Sequence, residues 1–263
     1  SRDVLDRNQS RFGPNHPSIA SAYHNIGTVY AKQAAEMTED SMPQRKCRSE
    51  ALAAFPSAAR SARDSLGSNH PNVAVSLVRI GFLLLQSRQY RNAAVTFQEA
   101  LRIRIAHFGP THGLVAYLYN NLGVCFMHVQ DFAKGQAQLP QALQIQRALV
   151  DRDEARRVDR DELWVHKLEL ADTLFNVGGL RLEWIRKQGP DARRTREAQR
   201  AFTECVQIRT EVLGSRDPAV VQAHSLLGMA DNFEKQSRAM AAQKSQIPPR
   251  PTTPRATTPR RRP

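Results

Sequence analysis

The chain has 263 residues, 41% of them hydrophobic, which is enough for a sizeable core in one large domain or two small ones. Its longest apolar cluster, Ile80 to Leu85, is interrupted by Gly81 and falls well short of the roughly 18 consecutive apolar residues of a membrane span, so a membrane protein is excluded. A net charge of +13 would point to an acidic partner if it were spread over the fold, but no acidic residue follows Glu234, and eight positive charges (Lys235, Arg238, Lys244, Arg250, Arg255, Arg260, Arg261 and Arg262) follow it, leaving an ordinary +5 on the first 234 residues.

Ser1 opens the chain without an initiator Met, and Val4 to Phe12 reads as the end of a helix rather than as a signal peptide, so a fragment of a longer chain is expected. The phrase Phe12-Gly13-Pro14-Asn15-His16-Pro17 then returns as Leu66-Gly67-Ser68-Asn69-His70-Pro71, 54 residues on, and as Phe108-Gly109-Pro110-Thr111-His112-Gly113 after a further 42. A fourth copy is Leu213-Gly214-Ser215-Arg216-Asp217-Pro218. Such a period marks a repeat architecture.

The first three copies are each followed by an apolar stripe of helical spacing: Tyr23, Ile26, Gly27 and Tyr30, then Leu77, Ile80, Gly81 and Leu84, then Tyr119, Leu122, Gly123 and Phe126. A second helix follows, with Ala93, Phe97, Ala100, Leu101 and Ile103 matched 42 residues later by Gly135, Leu139, Ala142, Leu143 and Ile145. Between pairs, Gly is expected in the left-handed conformation that ends one helix, and Pro17, Pro71 and Pro218 fit the first position of the next, with His16, His70 and Asp217 as caps.

Taken together, Ile80, Gly81, Leu84, Ala93, Phe97 and Ala100, the 42-residue period and the phrase Leu66 to Ala74 resemble the tetratricopeptide repeat (TPR), in the longer form found in kinesin light chains and their relatives. The resemblance covers nearly all of residues 1–230. It implies an all-α, right-handed α-solenoid of antiparallel helix pairs over 1–242, about four pairs with partial repeats at both ends, followed by a disordered Pro/Thr/Arg-rich tail over 243–263. Three stretches depart from the pattern, at 34–50, 151–162 and 187–195, and the sequence leaves open whether they lengthen helices or form loops.

In this family the first helix of each pair lines a concave groove that holds a peptide or helix of a partner protein, so the resemblance implies an interaction scaffold or adaptor. The positions two before the small residue are Asn25, Arg79, Asn121 and Asn176, and His24, Tyr117 and Asn120 are further groove candidates. An Asn ladder offers donors and acceptors to any extended backbone; alternatively these amides bond to a neighbouring helix or face water. Arg102, Arg104, Arg147 and Arg209, on the second helices, read as a solvated outer face or as a basic wall for an acidic peptide.

Nothing points to catalysis. No phosphate-binding glycine loop, HExxH, paired CxxC or GxSxG occurs, and His166, Glu169 and Asp172 are spaced as the surface of an amphipathic helix. Cys47, Cys125 and Cys205 lack a second ligand at metal spacing and read as free thiols of a reducing compartment, so no metal or cofactor is expected. Thr253 and Thr258, each before Pro, are candidate phosphosites whose modification would reduce the tail's charge. Two alternatives stand beside the cytoplasmic, cytoskeleton-associated adaptor: microtubule or nucleic-acid binding through the basic tail, and the regulatory part of a larger enzyme. Self-association through uncovered array ends is also expected.

Overall fold

The computed structural model describes residues 2–13, 16–37 and 41–245. Among these residues there are ten helices and no strand: α1 (Arg2–Phe12), α2 (Pro17–Glu36), α3 (Met42–Leu66), α4 (Pro71–Gln86), α5 (Tyr90–Phe108), α6 (Gly113–His128), α7 (Phe132–Arg156), α8 (Arg160–Gln188), α9 (Ala192–Leu213) and α10 (Pro218–Ser245). Each packs chiefly on its neighbours in the chain, so α2/α3, α4/α5, α6/α7 and α8/α9 are successive antiparallel pairs, with α1 packed before the first and α10 after the fourth. This is the all-α solenoid expected from the sequence.

The turns between pairs are built from the recurring phrase. His16, His70 and His112 each accept, through Nδ1, the backbone N–H two residues on, at 3.2, 3.2 and 3.1 Å, and the Asp217 carboxylate does the same for Ala219 at 2.8 Å. An unprotonated imidazole nitrogen thus serves where Asp or Ser is commoner. The preceding glycine has positive φ, as expected, but not the left-handed helical conformation: Gly67 (φ 92°, ψ 155°) and Gly109 (φ 84°, ψ 165°) combine positive φ with an extended ψ, a region open essentially to Gly alone.

Within each pair the helices meet at one close contact. A Cβ added at Gly81 would lie 2.4 Å from the ring of Phe97; at Gly27 it would lie 2.8 Å from Phe55, and at Gly178 2.6 Å from Phe202. All three rings are completely buried. In the third pair Leu139 takes the ring's place, 2.4 Å from a Cβ on Gly123. The missing side chain lets an aromatic ring reach the partner backbone, and burying each ring contributes about 1.5–3 kcal/mol. Gly228 holds the same position in α10, eleven residues after the cap, but nothing lies within 4 Å of it.

The three departures from the repeat are mostly helical. The first lengthens α2 and α3, where the buried Gln44 amide donates to the Ala34 carbonyl at 3.1 Å across the pair. The second carries α7 to Arg156, turns at Arg157 (φ 52°) and starts α8 at Arg160, while in the third only Gly189 to Asp191 separate α8 from α9. Capping explains the economy: Asp159 accepts from the Asp161 N–H at 3.2 Å and Asp191 from the Arg194 N–H at 2.8 Å, so helix can restart at once.

Gly81→Val should destabilise the array by about 1–3 kcal/mol, since the few tenths gained in helix propensity do not offset the overpacking. Phe97→Ala should cost about 3–5 kcal/mol. Thermal melting read by circular dichroism checks both. At the caps, His70→Ala is expected to cost about 0.5–2 kcal/mol, whereas His70→Asp, which copies Asp217, should melt no lower than the parent.

Candidate functional site

The backbones of the first helices of the pairs approach one another, α6 with α8 and α8 with α10. The second helices are tied across pairs by long side chains instead, Arg63 to Glu99 at 2.7 Å between α3 and α5, and Arg147 to Glu204 at 2.6 Å between α7 and α9. Closer spacing on one side curves the stack toward it, so α2, α4, α6, α8 and α10 form the concave face.

The expected groove residues differ in their engagement on this face. His24, Arg79 and Tyr117 form a row across α2, α4 and α6: burial and then the Arg79 charge hold His24 below the ordinary imidazole range, while burial pushes the Tyr117 hydroxyl up against the opposing pull of Arg79 and Arg104. Asn25 and Arg79 are exposed. Asn120 and Asn176 are engaged with each other, the Asn176 amide donating to the Asn120 carbonyl oxygen at 3.0 Å between α6 and α8. Asn121 is buried, and its amide donates to the Tyr117 carbonyl at 2.7 Å within α6. The amides therefore do not form one continuous ladder facing the groove.

Beyond Asn176 the concave face is hollow. A cleft of about 590 Å³ opens between α6, α8 and α10, with Met127, Phe175, Leu182, Leu226, Met229 and Phe233 supplying its apolar lining. Its cause is Gly179. The position after the packing glycine carries Thr28, Phe82 and Val124 in the first three pairs, and the Phe82 ring lies tilted against Tyr117 with centroids 5.7 Å apart, filling the groove there. At the fourth pair Gly179 leaves the floor bare, with only the Met127 sulfur within 4 Å of where its Cβ would be. The doubled glycine Gly178-Gly179 was the available sequence signal. Glu183 and Arg186 pair at 2.6 Å on the rim, and Gln222, Asn232 and Gln236 add amides along α10.

The four arginines of the second helices divide. Arg102 and Arg147 are exposed, bonded to Asn69 at 2.7 Å and Glu204 at 2.6 Å. Arg104 and Arg209 are neither a solvated face nor a wall: both are 7% exposed and brace the next pair through carbonyls of its first turn, Leu114 at 2.9 Å and Ala219 at 3.0 Å. A guanidinium can reach across the turn and add a donor to a carbonyl of the following helix, which sequence periodicity does not reveal.

His166 bonds to Asp153, and Asp172 pairs with Arg209 at 2.7 Å, so these groups are engaged with different partners. Burial alone would raise the Asp153 carboxyl, but hydrogen bonds and charges from Arg152 and His166 outweigh it and hold it below the usual carboxylate range. Burial pushes the Cys125 thiol up to about 12 and that of Cys205 to about 11, so neither is a reactive thiolate near neutrality. Among the described residues no group of three or more His, Cys, Asp or Glu is placed to hold a metal ion, and no helix is long and apolar enough to cross a membrane. Thr253 and Thr258 lie outside the described residues.

Comparison with known proteins adds to this geometry. Residues 73–113 match the tetratricopeptide-repeat family. Two crystal structures of a kinesin-light-chain candidate from Podosopora anserina, with nearly identical TPR-like repeats, superpose at TM-scores of 0.53 and 0.52; they share 17% and 16% identity, and each comparison covers 88% of this chain and 99% of the other. BtubC (BKLC) from P. vanneervenii aligns over 98% of this chain and 99% of its own at 17% identity and a TM-score of 0.47. No curated protein matches the sequence. At these identities the likeness is one of fold.

His24 and His128 are both held below the ordinary imidazole value, chiefly by burial. The unfolded chain therefore binds these protons more readily, so their contribution to stability is present above pH about 6.5 and is lost as pH falls through the lower folded values. Melting temperatures measured from about pH 7.5 to 5.5 should fall less steeply in a His24→Gln/His128→Gln variant than in the parent.

Proposed function

We propose that this chain, an array of tetratricopeptide repeats of the kinesin-light-chain-like kind, is a protein-interaction scaffold that holds a peptide or helix of a partner on its concave face. The observation that carries the reading is the cleft opened by Gly179, an apolar hollow of about 590 Å³ on the inner side of the stack. A bulky apolar side chain of the partner fills the hollow; Asn25, Arg79, Tyr117, Asn120 and Asn176 meet its polar groups farther along the groove, with His24 beside Arg79 and Asn121 setting the helix they stand on. A cargo or cytoskeletal adaptor is the specific form this takes. It is supported by the repeat type, and the partner acts from the cytoplasm. A scaffold of this kind needs no catalytic group.

A second reading assigns the contact to the basic tail over 243–263, whose Lys244, Arg250, Arg255, Arg260, Arg261 and Arg262 with no acidic residue suit microtubules or nucleic acid. The two separate by salt and by deletion. Groove binding should survive removal of residues 246–263 and change little between about 50 and 200 mM salt, whereas tail binding should vanish with the deletion and fall steeply over that range.

The direct test is selection of peptides from a random library on the full chain and on Gly179→Trp, which fills the hollow from its floor. The parent should enrich sequences with a bulky apolar anchor, and Gly179→Trp should lose them at an unchanged melting temperature. Equal enrichment by both proteins would remove the cleft from the account.

A further inference from the structure

Arg104 and Arg209 hold the same place in their repeats, five residues before Gly109 and Gly214, and both are 7% exposed. Each gives Nη1 to a carbonyl in the first turn of the following helix. They differ in the second bond. Arg209 gives Nη2 to the Asp172 carboxylate at 2.7 Å, and Asp172 stands six residues before Gly178. Six residues before Gly81 stands Val75, so the repeat supplies Arg104 with no carboxylate, and among the described residues it forms no ion pair. A buried guanidinium without a counter-ion is costly, and burial accordingly pulls the Arg104 pKa down.

Arg104 lines a cavity of about 570 Å³ that the second departure from the repeat creates. From Phe97 to the turn at Gly109 is 12 residues, whereas from Leu139 to the turn at Arg157 is 18, so α7 overshoots α5 by about 9 Å. The overshoot and the start of α8 raise a wall, with Arg152, His166 and Glu169, opposite the α5–α6 turn with Thr111 and His112. On that wall Arg152 and His166 are both committed to Asp153. Glu169 makes no ion pair or side-chain hydrogen bond among the described residues, and burial pushes its carboxyl up, toward the protonated form whose O–H can donate to a ligand's carboxylate. Tyr117 completes the lining beside Arg104. None of these residues lines the Gly179 cleft.

We propose that this cavity is a carboxylate-binding site in which an incoming ligand gives Arg104 the counter-ion that Asp172 gives Arg209. The carboxylate belongs to an acidic side chain of a protein partner or to a free small acid. The two share the same chemistry at Arg104, a charge-assisted bond from Nη2 with the aromatic Tyr117 alongside.

The test titrates the full chain with three probes, N-acetyl-glutamate N-methylamide for an acidic residue in a chain, succinate for a free acid, and N-acetyl-glutamine N-methylamide as the neutral match. Binding is followed by calorimetry and by the Arg104 Nε–H resonance. At least one acid should bind ten-fold or more tightly than the neutral probe. It should shift that resonance, and the tighter acid identifies the source. Val75→Asp, which copies Asp172 and leaves Arg104 in place, should abolish the binding with helix content unchanged; Arg104→Gln should abolish it too. Equal binding of acid and amide, no binding up to about 50 mM, or undiminished binding in Val75→Asp would overturn the assignment.

Discussion

The architecture depends on a glycine in the first helix of each pair meeting a large side chain of the second. Gly27, Gly81 and Gly178 each take a fully buried phenylalanine against bare backbone, and Gly123 takes Leu139. The contact fixes how close the two helices come, and that distance sets the tilt passed on to the next pair. Where it is absent the stack changes character: Gly228 meets nothing, and α10 carries His224 and Asp231 where α4 carries Leu77 and Leu84.

The concave face follows from the same rule with one residue changed. Its first half is occupied by the chain's own side chains, Phe82 against Tyr117 and Asn120 against Asn176. In its second half a glycine stands where the other pairs carry Thr28, Phe82 and Val124, and the space is left open. A hollow that exists before a ligand arrives would let it bind at low conformational cost.

The fold was legible in the sequence because its signals are local and repeated. The Gly-x-x-His or Gly-x-x-Asp phrase returns before α2, α4, α6 and α10, the i, i+3, i+4 stripes follow its first three copies, and the Gly81 to Phe97 spacing returns as Gly123 to Leu139. The site was legible only in part. Position along a helix placed Asn25 and Arg79 on the exposed concave side, but it could not tell that Asn121 turns into its own helix or that Asn120 and Asn176 join, since both depend on the rotation between neighbouring helices. Arg104 and Arg209 were misplaced for a related reason: their long side chains reach carbonyls ten residues on, and the Cβ direction says little about where such a head group ends. The cleft was missed because its signal is an absence, a second glycine beside one already explained.

The central claim is that the concave face, not the outer one, meets the partner. The measurement that bears on it most directly is photo-crosslinking in cells from a reactive amino acid placed at Met229 in the cleft, and separately at Val95 on α5, which is 67% exposed. The account predicts that a discrete partner is trapped from position 229 and not from position 95. The same partner trapped from 95 alone would contradict it.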